Sequence, residues 1–169
     1  MVRIENIFTR QERLNLLKSC KPLFLTKEDI LRECNWEDYV VVDLPSAKQT
    51  YSDLHLYPHF GFVFNRILNR VKEETGLNLE INKSWATWIT GKNKDQLWHH
   101  HECDYSIVYY IKTIPFLNDG TLFEDGFVRT KQNSLILFPG RMKHNVPSYP
   151  FSFNRYTLAM DLNTPRCMG

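Results

Sequence analysis

At Leu77 the chain changes its period. Before that point apolar residues recur every three or four positions; beyond it they alternate, or run in short blocks between turn signals. Helices first and a run of short strands afterwards restricts the fold to an α+β arrangement, with the helices gathered against one sheet. The helical part is well punctuated. Thr9 with Glu12 forms a capping box ahead of Leu14, Leu16 and Leu17, and Thr26 with Asp29 repeats it, with Leu25 and Ile30 at the staple positions. Phe60, Phe64, Ile67, Leu68 and Val71 share one helical face, and Gly76 follows where a C-cap glycine belongs. These signals predict helices at about 9–19, 27–34 and 60–75.

Strands are predicted at Glu80–Thr90, Trp98–His101, Ser106–Lys112, Thr121–Phe123, Ser134–Phe138 and Tyr156–Leu162. Asp119-Gly120, Asp125-Gly126 and Pro139-Gly140 mark turns between several of them. The last strand is the most informative. Side chains alternate across a strand, so Arg155, Thr157, Ala159 and Asp161 fall on one face and Tyr156, Leu158, Met160 and Leu162 on the other. The apolar face suits contact with the helices, and the small and polar face suits the inside of a barrel. The strand Ser106–Ile111, apolar or aromatic on both faces, favours the barrel over a half-exposed edge.

With 169 residues, no internal repeat and no linker, the chain reads as a single domain, 1–169. Residues 1–76 would be mainly helical support and 77–163 the β core. The net charge of +2, from 21 basic and 19 acidic residues, gives no electrostatic reason to expect a nucleic-acid or membrane-surface partner. No apolar run approaches the roughly 18–20 residues of a membrane span, and MVRIENIFTRQERLNLL lacks the apolar centre of a signal peptide. Cys20, Cys34, Cys103 and Cys167 form no close pair. Thiols in a reducing cytoplasm are therefore expected, rather than a disulfide framework or a zinc knuckle.

Three of the six histidines are consecutive: His99, His100 and His101, followed by Glu102, Cys103 and Asp104. In a strand His99 and His101 can converge on one ion. In the opposite register His100 and Glu102 can, and the two registers exclude each other. Asp104 is a further candidate. Imidazole suits iron, zinc, copper and nickel, and three ligands with open positions mark non-heme iron(II) sites. The third ligand must come from elsewhere; His144, just past the Pro139-Gly140 turn, is placed to return across the barrel. His55 and His59, beside a proline ahead of a helix, are read as packing residues. Eleven residues after His144 stands Arg155, with Thr157 on its face. A guanidinium fork donates two parallel hydrogen bonds to a carboxylate, and a hydroxyl two residues on can add another. A 2-oxo acid that chelates a metal at one end and reaches away with its other carboxylate needs such a pair.

These residues carry a family resemblance. QLWHHHECDYSIVYYI, then GTLF, NSLILFPGRMKHNVP and NRYTLAMDLN, resembles the 2-oxoglutarate/iron(II)-dependent oxygenases. The similarity is to the small prolyl-hydroxylase-like ones of bacteria and phages, over roughly Trp85 to Asn163. The resemblance implies a double-stranded β-helix (a jelly-roll, cupin-like barrel) with N-terminal helices on one sheet. It places His99, His101 and His144 as iron(II) ligands and Arg155, with Thr157, on the far carboxylate of 2-oxoglutarate. The wider superfamily uses His-x-Asp or His-x-Glu, which here selects His100 and Glu102. The implied function is a dioxygenase hydroxylating an unidentified substrate, a peptidyl residue or a small molecule. A cupin-type metal-dependent dioxygenase that does not use 2-oxoglutarate, and a non-catalytic metal-binding module, are the alternatives. Lys112–Asn118 and Phe127–Asn133 are candidate lid or recognition loops, and nothing specifies the oligomeric state.

Overall fold

The computed structural model describes residues 1–33, 47–90, 98–147 and 153–165. Chain order runs β1 (Val2–Glu5), α1 (Arg10–Cys20), α2 (Lys27–Glu33), β2 (Ala47–Gln49), α3 (Gly61–Thr75), β3 (Glu80–Ile89) and β4 (Tyr105–Lys112). It continues with β5 (Thr121–Phe123), β6 (Gly126–Val128), β7 (Ser134–Pro139), β8 (His144–Asn145) and β9 (Arg155–Asn163). Six strands form a major sheet in the order β1-β7-β4-β9-β3-β2, and three form a minor sheet, β6-β5-β8. All pairings within both sheets are antiparallel. The two sheets close on a shared apolar layer of Tyr110, Phe123, Ile136 and Phe138, which is the double-stranded β-helix.

The helices start and stop where their caps require. Glu12 donates its backbone N–H to Thr9 Oγ1 (3.2 Å) and returns a carboxylate oxygen to the Thr9 N–H (2.8 Å), so the predicted capping box opens α1. Thr26 and Asp29 do the same for α2. At the end of α3, Gly76 takes φ 75°, a left-handed conformation that lacks steric cost only without a Cβ. Val63, Phe64, Ile67 and Val71 of α3 and Leu16, Leu17 and Cys20 of α1 are buried with Ile107, Tyr109, Leu158, Met160 and Leu162, on the outer face of the major sheet. Each such large aliphatic or aromatic side chain contributes roughly 1.5–3 kcal/mol on burial. Burial also pushes the Cys20 thiol up to about 12, which leaves it an inert core residue.

Four departures from the sequence expectations are structural. The mainly helical first third supplies two strands, β1 beside β7 and β2 beside β3. Gly126 is not the end of a turn but the first residue of β6, and Glu124 and Asp125 make the two-residue connection. The first residues of the 127–133 loop therefore lie in the minor sheet. Trp98–His101 is not a continuous strand: only His99 is bridged, to His144. The last residue of the predicted 27–34 helix, and Cys34 and Cys167, lie outside the described residues. Among the described residues no helix is long and apolar enough to cross a membrane.

Candidate metal centre

Backbone pairing sets the histidine cluster. His99 donates its N–H to the His144 carbonyl (3.2 Å), and His144 donates to the His99 carbonyl (2.9 Å), so the two side chains stand opposite each other across a bridge. Two residues on, His101 donates its N–H to the Gly140 carbonyl (2.9 Å), which holds the alternation although no regular strand continues. One ring nitrogen from each of His99, His101 and His144 lies within 4.8 Å of the others; among the described residues no other group of three metal-ligating side chains converges. The ring centroids are 4.3 Å apart for His99 and His144, and 5.2 Å for His101 and His144.

Among the described residues His100 and Glu102, the other register, converge with no third ligand. His100 Nε2 and Glu102 Oε1 meet each other at 3.0 Å with both side chains largely exposed, and Arg141 pairs with Glu102 at 2.8 Å. Asp104 is exposed and accepts hydrogen bonds from the Thr164 N–H (2.8 Å) and hydroxyl (2.7 Å). Cys103 also turns aside. Its thiol, pushed up by burial, donates to the Tyr105 carbonyl at 3.1 Å. His55 bonds Ser84 through Nδ1 (2.9 Å) and packs edge-on to Phe64, while His59 packs against Tyr57 and Phe60; neither joins the cluster.

The cluster fits a metal by its proton inventory. His144 Nδ1 lies 3.0 Å from the Met142 carbonyl, a contact that only an Nδ1–H can make, so Nε2 keeps its lone pair for the site. Burial above all, and then the neighbouring His99, brings the His144 pKa from the ordinary 6.5 down to about 3, so the ring stays neutral at physiological pH. A lowered folded-state value means that the unfolded chain takes up the proton first. This contribution to stability is complete above about pH 6.5 and is lost as the pH falls through that value towards about 3. Between pH 7.5 and 5 the metal-free protein should lose about 2 kcal/mol through His144. Urea midpoints at the two pH values should show His144→Gln, which cannot take up the proton, losing that much less; equal losses would remove this account.

Gly140 holds the loop from beneath. A Cβ there would sit 2.6 Å from Cys103 Sγ and closer still to the Cys103 carbonyl oxygen. Gly140→Ala should therefore displace the 101–104 segment, destabilise the fold by roughly 1–3 kcal/mol and weaken metal binding. Thermal unfolding and cobalt titration of this variant check both effects, and a wild-type profile in both would refute them.

A cavity of about 560 Å³ contains the whole constellation. His99, His101 and His144 line it, and so do Arg155, Thr157 and Asp161 from β9, Trp85, Thr87 and Ile89 from β3, and Phe138 from β7. Arg155 is 2% exposed, with its guanidinium 5.2 Å above the Tyr110 ring. The Tyr110 hydroxyl lies 2.6 Å from Thr121 Oγ1, and burial pushes its pKa up, so the phenol remains protonated. Sequence reasoning missed Tyr110, and gave no role to Asp161 although it put that residue on the inward face. Strand parity was the available signal: Tyr110 pairs with Thr157, and Asp161 lies on the face of Arg155.

No family model and no curated protein matches the chain. Solved structures do. HygX from Streptomyces hygroscopicus, with nickel and 2-oxoglutarate bound, superposes over 98% of this chain and 83% of its own, with a TM-score of 0.66 and 13% identity. The viral collagen prolyl hydroxylase vCPH from Paramecium Bursaria Chlorella virus-1, in its 2OG complex, covers 98% and 96% at TM-score 0.64 and 12% identity. EctD from S. alaskensis with bound Fe covers 96% and 72% at TM-score 0.66 and 16% identity. These neighbours are 2-oxoglutarate/iron-dependent oxygenases, the kind of protein that the sequence motifs resemble. At such identities the likeness establishes a common fold, the α+β double-stranded β-helix.

Proposed function

We propose that residues 1–169 form one catalytic domain, an iron(II)- and 2-oxoglutarate-dependent dioxygenase that hydroxylates a small molecule or a peptidyl residue. The observation that carries this reading is the placement of three convergent imidazoles and a buried arginine in one cavity. His99, His101 and His144 would hold iron(II) through one ring nitrogen each, a three-ligand set of the kind that leaves the ion able to take further ligands. Arg155 would take the far carboxylate of 2-oxoglutarate in a bidentate grip, with the Thr157 hydroxyl as a further donor. Trp85, Ile89 and Phe138 line the cavity with apolar surface and limit water around the reacting atoms.

When bound, iron with 2-oxoglutarate and dioxygen supplies the oxidising chemistry: the co-substrate leaves as succinate and carbon dioxide, and one oxygen atom enters a substrate C–H bond. The protein's part is to orient these groups and to shield them. Arg155, buried in the same cavity as the three imidazoles, is the feature that favours the 2-oxoglutarate reading over a metal-dependent dioxygenase without this co-substrate.

The test is an anaerobic titration of iron-loaded protein with 2-oxoglutarate, followed by calorimetry and by the visible metal-to-ligand charge-transfer band. Saturable binding at one equivalent is expected, with succinate released once oxygen and a substrate are admitted. Iron-loaded protein that takes up no 2-oxoglutarate would mean that the reading is wrong.

A further inference from the structure

Three imidazoles bring no charge to a metal site. A divalent ion held by His99, His101 and His144 would keep its full charge beside two buried imidazoles, His101 and His144, where an uncompensated charge is costly. Glu102 and Asp104 are exposed and engaged elsewhere. Asp161 is different. It is 5% exposed, lines the cavity, and places Oδ1 3.4 Å from His101 Nδ1. The strand register brings it there, because β9 pairs Asp161 directly with Ser106 of β4.

The same carboxylate oxygen accepts the Ser106 hydroxyl at 3.3 Å, and Ser106 Oγ lies 3.4 Å from Cys103 Sγ. The carboxylate is thus held from behind by a buried hydroxyl while it faces the imidazole. His101 itself is 8% exposed, with its ring 5.6 Å from Trp85, so it has little freedom to turn elsewhere.

We propose that Asp161 is a positioning residue for the metal centre: it accepts the Nδ1–H of His101, which directs Nε2 at the ion, and it supplies the negative charge that the three imidazoles lack. The inference rests on the metal-site reading above. A carboxylate behind a ligating histidine fixes the tautomer and raises the basicity of the coordinating nitrogen. Ser106 keeps the carboxylate from rotating away, and so takes part in the same arrangement.

The experiment has two arms. In the first, cobalt(II) affinity of the purified protein is measured by chelator competition for wild type, Asp161→Ala and Asp161→Asn. Asp161→Ala should bind roughly 10- to 100-fold more weakly. Asp161→Asn, which keeps an acceptor but loses the charge, should recover part of that loss. In the second, the wild-type tautomer of His101 is read in metal-free protein by long-range proton–nitrogen NMR at a pH where the ring is neutral. The proton should reside on Nδ1.

Wild-type cobalt affinity in Asp161→Ala overturns the proposal, and so does a proton on Nε2 of His101. If the alanine variant fails to fold, the asparagine variant and the tautomer still decide. A wild-type protein that binds no cobalt refutes the metal-site reading itself, which separates that failure from this one.

Discussion

His144→Ala should abolish metal binding and leave the barrel folded. The ligand set has three members, and removing one takes away a coordinate bond while the other two gain nothing in return. The loss should exceed the roughly 10- to 100-fold typical of removing only a partner that orients a ligand. The fold survives because β8 is anchored by main-chain bonds: the His99–His144 bridge and the pairing of Phe123 with residue 144 do not use the imidazole. What is lost in packing is the ring's contact with Phe138, 4.9 Å between centroids, and with Phe123 at 6.0 Å. That should cost about 1–3 kcal/mol, within the range of an ordinary core truncation. Cobalt or iron titration beside circular dichroism gives both answers. If the alanine variant binds iron as tightly as wild type, the triad is not the site.

Arg155→Ala is the corresponding expectation for the co-substrate. Affinity for 2-oxoglutarate should fall while affinity for iron stays close to wild type, because the arginine would meet only the carboxylate remote from the metal. Truncating one partner of a charge-assisted, bidentate contact in a desolvated pocket costs roughly 2–5 kcal/mol, a factor of about 30 to several thousand. The 2% exposure of Arg155 satisfies the desolvation condition. Arg155→Lys should restore only part of the affinity, since an ammonium keeps the charge and loses the fork. Thr157→Val should cost less, about 1.5–3 kcal/mol for one hydrogen bond to a charged acceptor. Titration of each iron-loaded variant through the charge-transfer band separates these cases. An Arg155→Ala protein that binds 2-oxoglutarate like wild type would place the anion site elsewhere and favour a metal centre without this co-substrate.

Much of the site was legible because strand parity is a strong constraint. Arg155, Thr157 and Asp161 line the cavity, whereas Tyr156, Leu158 and Leu162 are buried with the helices, as their alternation implies. His99 and His101 share a side for the same reason, although the pairing that holds them comes from His144 and Gly140 rather than from a continuous strand. The choice between the two histidine registers was not legible. It depends on which residue bridges His144, and no local pattern carries that information.

The missed strands have a similar cause. Val2–Glu5 has no hairpin partner; it pairs with residues 134–137, and four residues ahead of a helix cap carry no period of their own. Ala47–Gln49 is three residues long, too short for an alternation to register. Gly126 read as the end of a turn because Asp-Gly is a common turn pair, whereas here the two turn residues precede it.

The order of strands in the major sheet has a consequence for how the protein is made. β9 lies between β4 and β3, in the middle of the sheet, yet it follows every other strand in the chain. Apart from β2 and β3, no neighbours in that sheet are consecutive strands. Such non-local pairing slows folding into the range of roughly milliseconds to seconds. At a translation rate of about 5–20 residues per second, some 3–12 s separate the synthesis of His101 from that of Asp161. For most of that interval β3 and β4 are complete and the strand that must lie between them does not yet exist. The nascent chain exposes two unpaired strand edges and the His99–His101 run before it can shape a pocket around them, and such edges are where a folding chain is most open to wrong pairing.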